Sequence, residues 1–301
     1  MKILITGSNG LLGQKVLSKA LEENFEVIAT SKGVDRLSMK NAKNYIYCDL
    51  DITNQKDVFC IIQKFKPQVI INTAALTNVD LCENDQQLCD AVNVQAVKYL
   101  VEMCAKFNIH LIHISTDFIF DGKHGPYSES DIPNPLSYYG ISKLKSEKLL
   151  TSSNINWTIL RTIILFGVGQ SLSRNNLILW AKHALENNQD LNIIDDQFRA
   201  PTLAEDLADA CISAAKKKVY GIFHVSGKDI MSIFDIVKNI AKFFKLSTDR
   251  INKINSSVLN QKAIRPTKTG FVLNKAMTLL NYNPHSFNDS LEVIKTQLIK
   301  K

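Results

Sequence analysis

Tyr139 and Lys143 stand four residues apart in the stretch YYGISKLKSEK, a spacing that on a helix puts both side chains on one face. A free tyrosine ionises near ~10, too high to exchange a proton readily at neutral pH. A neighbouring ammonium favours the phenolate and is expected to lower that value. Such a pair could hand a proton to a carbonyl oxygen. Alone, the spacing decides little: with 8 Tyr, and 36 Lys plus Arg among 301 residues, about one such pair arises by chance.

A second constellation lies at the N-terminus. KILITGSNGLLGQKVL reads as a strand, a loop carrying Gly7, Gly10 and Gly13, and an apolar-periodic helix. Gly7 suits a tight turn, Gly10 a close approach to a pyrophosphate, and Gly13 close helix–strand packing. Asn9, Leu11 and Leu12 complete the loop, and the helix N-terminus offers free amides to phosphates. A glycine triplet is weak evidence alone; its placement between strand and helix is the context dinucleotide binding requires. An NAD site places an acid at the end of the second strand. Here VIATSKG puts Ser31 and Lys32 there, a hydroxyl and an ammonium suited to a 2′-phosphate, so NADP(H) is expected, with NAD(H) open. Asp49 and Leu50, after the third strand, are placed to border the adenine.

These residues need elements to carry them. KILITG, EVIATS, YIYCDL, QVIINTAA and HLIHISTDFIF read as strands, separated by helical patterns such as NQKDVFCIIQKF and AVKYLVEMCAKF. Alternation of this kind predicts an α/β protein with a parallel sheet covered on both faces. After about residue 165 the pattern loosens: LNIIDDQFRAPT and GIFHVSG suggest short strands, MSIFDIVKNIAKFF a helix opened by Ser232, and 247–270 irregular chain. A smaller lobe over the strand ends follows, with ligands in the cleft between.

Composition sets outer bounds. Hydrophobic residues at 45% and charged residues at 22% suit a globular protein. No apolar run reaches the ~18 residues of a membrane span. MKILITG enters a strand at once, so no leader and a cytoplasmic place are expected. The six cysteines (Cys48, Cys60, Cys82, Cys89, Cys104, Cys211) form no C-x-x-C pair and read as buried free thiols. The histidines show no ligand spacing, so no metal is expected. Net charge is +7, but the lysines are dispersed, which argues against nucleic acid. KKK at 216–218 reads as a solvated helix end, and the overall charge suits an anionic substrate.

Taken together, TGSNGLLG, PQVIINTAALTNVDLCE, STDFIFDG, GPYSESDIPNPLSYYGISKLKSEK, LRTIILFG, DQFRAPT and AIRPTKTG resemble the extended short-chain dehydrogenase/reductase family over nearly the whole chain. The resemblance implies a Rossmann-like doubly wound sheet over residues 1–165, with segments near 190–228 returning to it. It implies a smaller, discontinuous, mixed α/β substrate-binding lobe within 166–301. Thr116, Tyr139 and Lys143 match the catalytic hydroxyl, acid and lysine, with Lys143 also on the nicotinamide ribose. Asn72, Ala74 and Ala75 match the loop beneath the cofactor, and Asn93 a helix asparagine that steadies the central strands. Arg161 matches either a buried ion or a ligand.

For the substrate, Thr116, Asp117 and Phe118 match one end, and Asn176, Gln197, Arg199 and Arg265 are candidates for the nucleotide end; an arginine fork suits a diphosphate. The activity implied is NADPH-dependent reduction of the 4-keto group of a nucleotide-diphosphate-linked deoxysugar. The most specific case takes dTDP-6-deoxy-L-lyxo-4-hexulose to dTDP-L-rhamnose. An epimerase, or a non-catalytic cofactor-binding subunit, stays open, as does a homodimer. Ile164, where such reductases carry a tryptophan, and Arg199, where they carry a small residue, leave the sugar open.

Overall fold

The computed structural model describes residues 1–37, 43–172 and 175–299. Its strands are β1 (Lys2–Thr6), β2 (Glu26–Ser31), β3 (Tyr45–Asp49), β4 (Val69–Asn72), β5 (His110–Thr116), β6 (Trp157–Thr162), β7 (Leu165–Phe166), β8 (Leu191–Ile194), β9 (Phe198–Arg199), β10 (Thr202–Leu203), β11 (Gly221–His224), β12 (Met231–Ser232) and β13 (Ile251–Ile254). Seven form one sheet in the order β11-β6-β5-β4-β1-β2-β3, every neighbouring pair parallel. The order reverses between β1 and β4. At such a reversal the connecting loops diverge to opposite faces and leave a crevice at the carboxyl ends. Thr6, Asn72 and His113 lie side by side in register there.

The strands are buried on both faces, which explains their unbroken apolar runs: Ile3, Leu4 and Ile5 are all fully buried. The helices are α1 (Leu11–Glu22), α2 (Gln55–Phe65), α3 (Val79–Asn84), α4 (Gln86–Asp90), α5 (Ala96–Phe107), α6 (Tyr138–Thr151), α7 (Leu177–Glu186), α8 (Ala204–Lys217), α9 (Ile233–Phe243), α10 (Asn274–Leu280) and α11 (Phe287–Ile299). One face of the sheet is covered by α1 and α8, packed against each other, and the opposite face by α2, α5 and α6.

A separate core of Phe166, Ile178, Leu191, Ile236, Ile240 and Leu291 joins α7, α9 and α11 with β8. The segment near 190–228 divides between the two: β8 pairs with β13 in the smaller lobe, while α8 and β11 join the large sheet. β13 also corrects the expectation of irregular chain over 247–270. Its Asn252 and Lys253 are exposed and only its ends are half-buried, so no alternating pattern announces it. Ser232 does open α9, its hydroxyl accepting from the amide of Asp235 at 3.0 Å. Lys216 and Lys217 form the last turn of α8 and Lys218 its left-handed cap, as the KKK run suggests. All six cysteines are free; Cys60 is exposed and Cys48 half-buried, contrary to the expectation that all are buried. No helix among the described residues is long and apolar enough to cross a membrane.

Candidate active site

A cleft of about 760 Å³ opens over the carboxyl ends of β1, β4 and β5. Its floor begins with the glycine loop. A Cβ on Gly13 would lie 2.3 Å from the Gly7 carbonyl oxygen and 2.7 Å from Ser8 Cα, so only glycine lets α1 start this close to the turn. Gly10 stands at the N-cap of α1, so the helix has no side-chain cap, and there is no acid in its first turn. Its first amides therefore face the cleft without intrahelical acceptors, a seat for an anion. Ser115 Oγ, buried in the same lining, has no hydrogen-bond partner. These features fit a dinucleotide.

Gly10, Leu11, Leu12, Ser31, Asn72, Ala74 and Ala75 line the cleft as expected. Asn9 lines it too, but its amide is committed to Val34 O at 3.0 Å and to the Arg36 amide at 3.1 Å, tying the glycine loop to the chain after β2. Lys32 does not line it: the side chain is 80% exposed and pairs with Asp51 at 2.7 Å. Arg36 takes that place in the lining, with one guanidinium N–H on Ser171 O at 3.3 Å. Asp49 accepts from the Gly33 amide and Leu50 is buried beneath; neither lines the cleft.

α6 presents Tyr139 to the cleft. Ser137 caps the helix, accepting from the Gly140 amide at 3.3 Å. A Cβ on Gly140 would meet the Phe118 carbonyl oxygen at 2.2 Å, so glycine permits the contact that seats Tyr139 against the end of β5. From below, Glu147 on α6 grips Arg161 on β6 through two bonds of 3.0 and 2.7 Å, both side chains buried. Arg161 also meets His224 Nε2 at 3.2 Å and is a structural ion, absent from the lining. Asn93 bonds both the amide and carbonyl of Leu76 and the hydroxyl of Ser142, joining the loop after β4 to α6.

Tyr139, Lys143, Thr116, Asp117 and Phe118 meet in the cleft. Burial pushes the Tyr139 phenol above its ordinary value, and the Thr116 hydroxyl only partly opposes this. That corrects the expected lowering by Lys143, whose Nζ lies 3.0 Å from His113 Nε2 and 2.7 Å from Ile114 O. Burial lowers Lys143 to about 8. Thr116 donates to Asp117 Oδ1 at 3.2 Å and accepts from the Phe118 amide.

Of the nucleotide-end candidates, Asn176 lines the cleft while capping α7. Arg199 is buried, 3.6 Å from Asp117, with its fork on the carbonyls of Phe198 and Pro266. Burial pushes the Asp117 carboxyl up and the guanidinium opposes it. Gln197 is buried beside Arg199, and Arg265 pairs with Asp80 at 2.6 Å. These three do not line the cleft, and each polar head has a partner inside the protein. Ile164 does line it, with φ at +34°, a strained conformation for a β-branched residue.

The RmlD substrate binding domain family matches residues 1–299. The chain belongs to this family. The member dTDP-4-dehydrorhamnose reductase of Aggregatibacter actinomycetemcomitans is 33% identical over 98% of both chains. Methionine adenosyltransferase 2 subunit beta of Bos taurus is 31% identical over 85% of this chain and 76% of its own. A solved dTDP-4-dehydrorhamnose reductase from Clostridium acetobutylicum is 30% identical with a TM-score of 0.87, covering 99% of this chain and 100% of that one. The RmlD-family match spans both lobes, so the cleft and its lining lie within it.

Proposed function

We propose that the chain is an NADPH-dependent reductase of the 4-keto group of a nucleotide-diphosphate-linked deoxysugar, acting as dTDP-4-dehydrorhamnose reductase. One observation carries this: the buried phenol of Tyr139 stands in the cleft with Thr116 and Lys143. A reduction consumes a proton, so the resting acid has to hold one. Residues 1–165 with the returning α8 and β11 form the cofactor lobe, and the remainder the substrate lobe. Ser31 and Arg36 hold the 2′-phosphate, the amides of α1 the pyrophosphate, and Lys143 the nicotinamide ribose.

NADPH supplies the hydride that arrives at the carbonyl carbon. Thr116 turns its hydroxyl from Asp117 to donate to the carbonyl oxygen and so orients it. Tyr139 gives its phenolic proton to that oxygen, and the remaining phenolate regains one from solvent. The ammonium form of Lys143 stabilises the phenolate while it lasts. Phe118 and Ile164 shield the reacting centre from water.

The likeness to a methionine adenosyltransferase subunit favours a second reading, a cofactor-holding partner subunit. NADPH oxidation with dTDP-6-deoxy-L-lyxo-4-hexulose separates the two. Turnover to dTDP-L-rhamnose supports the reductase; tight NADPH binding without turnover supports the subunit. The reading places the protein in the cytoplasm; light scattering tests for a homodimer.

A further inference from the structure

His113 is fully enclosed between β5 and α6 and has no part in the chemistry above. Its two ring nitrogens nevertheless join the site on both sides. Nε2 lies 3.0 Å from Lys143 Nζ and 3.0 Å from Ser146 Oγ, and Nδ1 lies 3.0 Å from the amide nitrogen of Asn72. Asn72 in turn accepts from the Thr6 hydroxyl at 2.5 Å and lines the cleft. The chain Lys143–His113–Asn72–Thr6 thus crosses three adjacent strands directly under the crevice.

A neutral imidazole carries one proton, so its two nitrogens take opposite roles. As placed, the Asn72 amide donates to Nδ1, which leaves the ring proton on Nε2, facing Lys143. An uncharged amine accepts that proton; an ammonium, having only donors, conflicts with it. With Lys143 charged, Nε2 has to accept, the ring proton moves to Nδ1, and the Asn72 amide turns over to present its oxygen, so that the Thr6 hydroxyl accepts from the amide instead of donating to it. Ser146 follows the switch: with the proton on Nε2 its hydroxyl accepts there while donating to the Lys143 carbonyl at 2.7 Å, and with Nε2 unprotonated the hydroxyl has to turn and donate to the ring.

We infer that His113 is a positioning residue for Lys143, and that its ring tautomer and the orientation of the Asn72 amide change together with the charge on Lys143. Between the two states one proton passes between Lys143 and solvent, the ring proton exchanges between Nδ1 and Nε2, and the ring stays neutral. Its significance for turnover depends on the proposed reductase chemistry, where Lys143 faces a neutral phenol at rest and a phenolate after proton transfer. The other titratable groups facing Lys143 are Glu147, held by Arg161, together with Cys89 and Tyr139. Asp117 faces Tyr139 and is neutralised by Arg199. None of these touches His113, so the tautomer reports Lys143 alone.

Imidazole ¹⁵N NMR of the full chain tests this without substrate or cofactor, with His113→Gln identifying the signal among six histidines. From about pH 6 to about pH 10 the protonated nitrogen is expected to change from Nδ1 to Nε2 at the Lys143 midpoint, and not to change in Lys143→Met. One tautomer throughout overturns the inference, even in a protein that turns over well. Where the reductase reading also holds, His113→Leu is expected to move the alkaline limb of the kcat/KM profile down by about one pH unit, the effect of one lost bond to a charged group. His113→Gln, which keeps an acceptor near Nε2, is expected to restore it. Loss of activity in both variants with the limb unmoved shows only packing and overturns the kinetic role.

Discussion

The rings of Phe118 and Tyr139 meet edge to face, their centroids 5.7 Å apart and their planes at 70°. This contact depends on the tyrosine ring and not on its hydroxyl. Tyr139→Phe should therefore keep the fold and NADPH affinity while lowering kcat by roughly 10²- to 10⁴-fold, the worth of a positioned acid. Thermal melting, NADPH titration and steady-state rates measured on one preparation check this. Retained turnover would remove Tyr139 from the acid role.

Arg36 lines the cleft where Lys32 does not. Lys32 would have to leave Asp51 before meeting a phosphate, whereas Arg36 already lines the cleft and is held only by one 3.3 Å bond to Ser171 O. Arg36→Ala is expected to raise KM for NADPH by roughly 10-fold or more, with little change for NADH, as for a lost bond between charged groups. Lys32→Ala should leave both constants near wild type. The comparison of the two cofactors is the measurement, since general damage would raise both.

The buried pair Arg199–Asp117 joins the small strand β9 to the end of β5. Arg199→Met leaves the buried Asp117 carboxylate without a counter-charge, with only the hydroxyls of Thr116 and Thr269 on it, an expected loss of about 3–5 kcal/mol in urea unfolding. Adding Asp117→Asn should recover much of it, because the amide needs no counter-charge. Failure to recover would mean that the carbonyls of Phe198 and Pro266, and not Asp117, are the partners that matter.

Acid should weaken the fold through its buried imidazoles. Burial holds His110 at about 4, His224 at about 3 and His113 lower than the ordinary 6.5. The unfolded chain binds protons at these positions below about 6.5 and the folded chain does not, so stability present above that pH is lost as pH falls. Each imidazole contributes about 1.4 kcal/mol per pH unit within its window. Asp117 and Asp206, raised by burial, bind protons first in the folded state and offset part of the loss. Urea midpoints should be clearly lower at about pH 5 than at about pH 7.5. Equal midpoints would mean that these rings are not buried in their neutral form.

The parallel sheet was legible in the alternation of apolar runs with helical patterns, the glycine loop and the Tyr139–Lys143 spacing each in one short stretch, and Thr116 through the family resemblance. Partnerships between distant residues were not. Arg265 looks like a phosphate ligand until Asp80 appears beside it, 185 residues away in the chain. Lys32 looked like the cofactor cation because its neighbour Asp51 pairs with it only once β2 and β3 lie side by side. His113 sits in a strand pattern that would suit any apolar residue, and nothing local hints that Lys143 will fold back onto it. Burial also reversed the expected sign of the shift at Tyr139, a quantity that spacing does not contain.

The interior bond between Glu147 and Arg161 anchors α6 from beneath, at the turn that follows Lys143. The helix that carries Tyr139 is thereby tied to the sheet, while the facing wall around Ile164 and Asn176 belongs to connecting chain beyond β6. In the proposed reductase, chemistry and selectivity therefore sit on separate elements of the fold. Redesign of the wall could admit a different sugar without disturbing the donor, whereas a change at Glu147 or Arg161 would slacken the donor whatever sugar was bound.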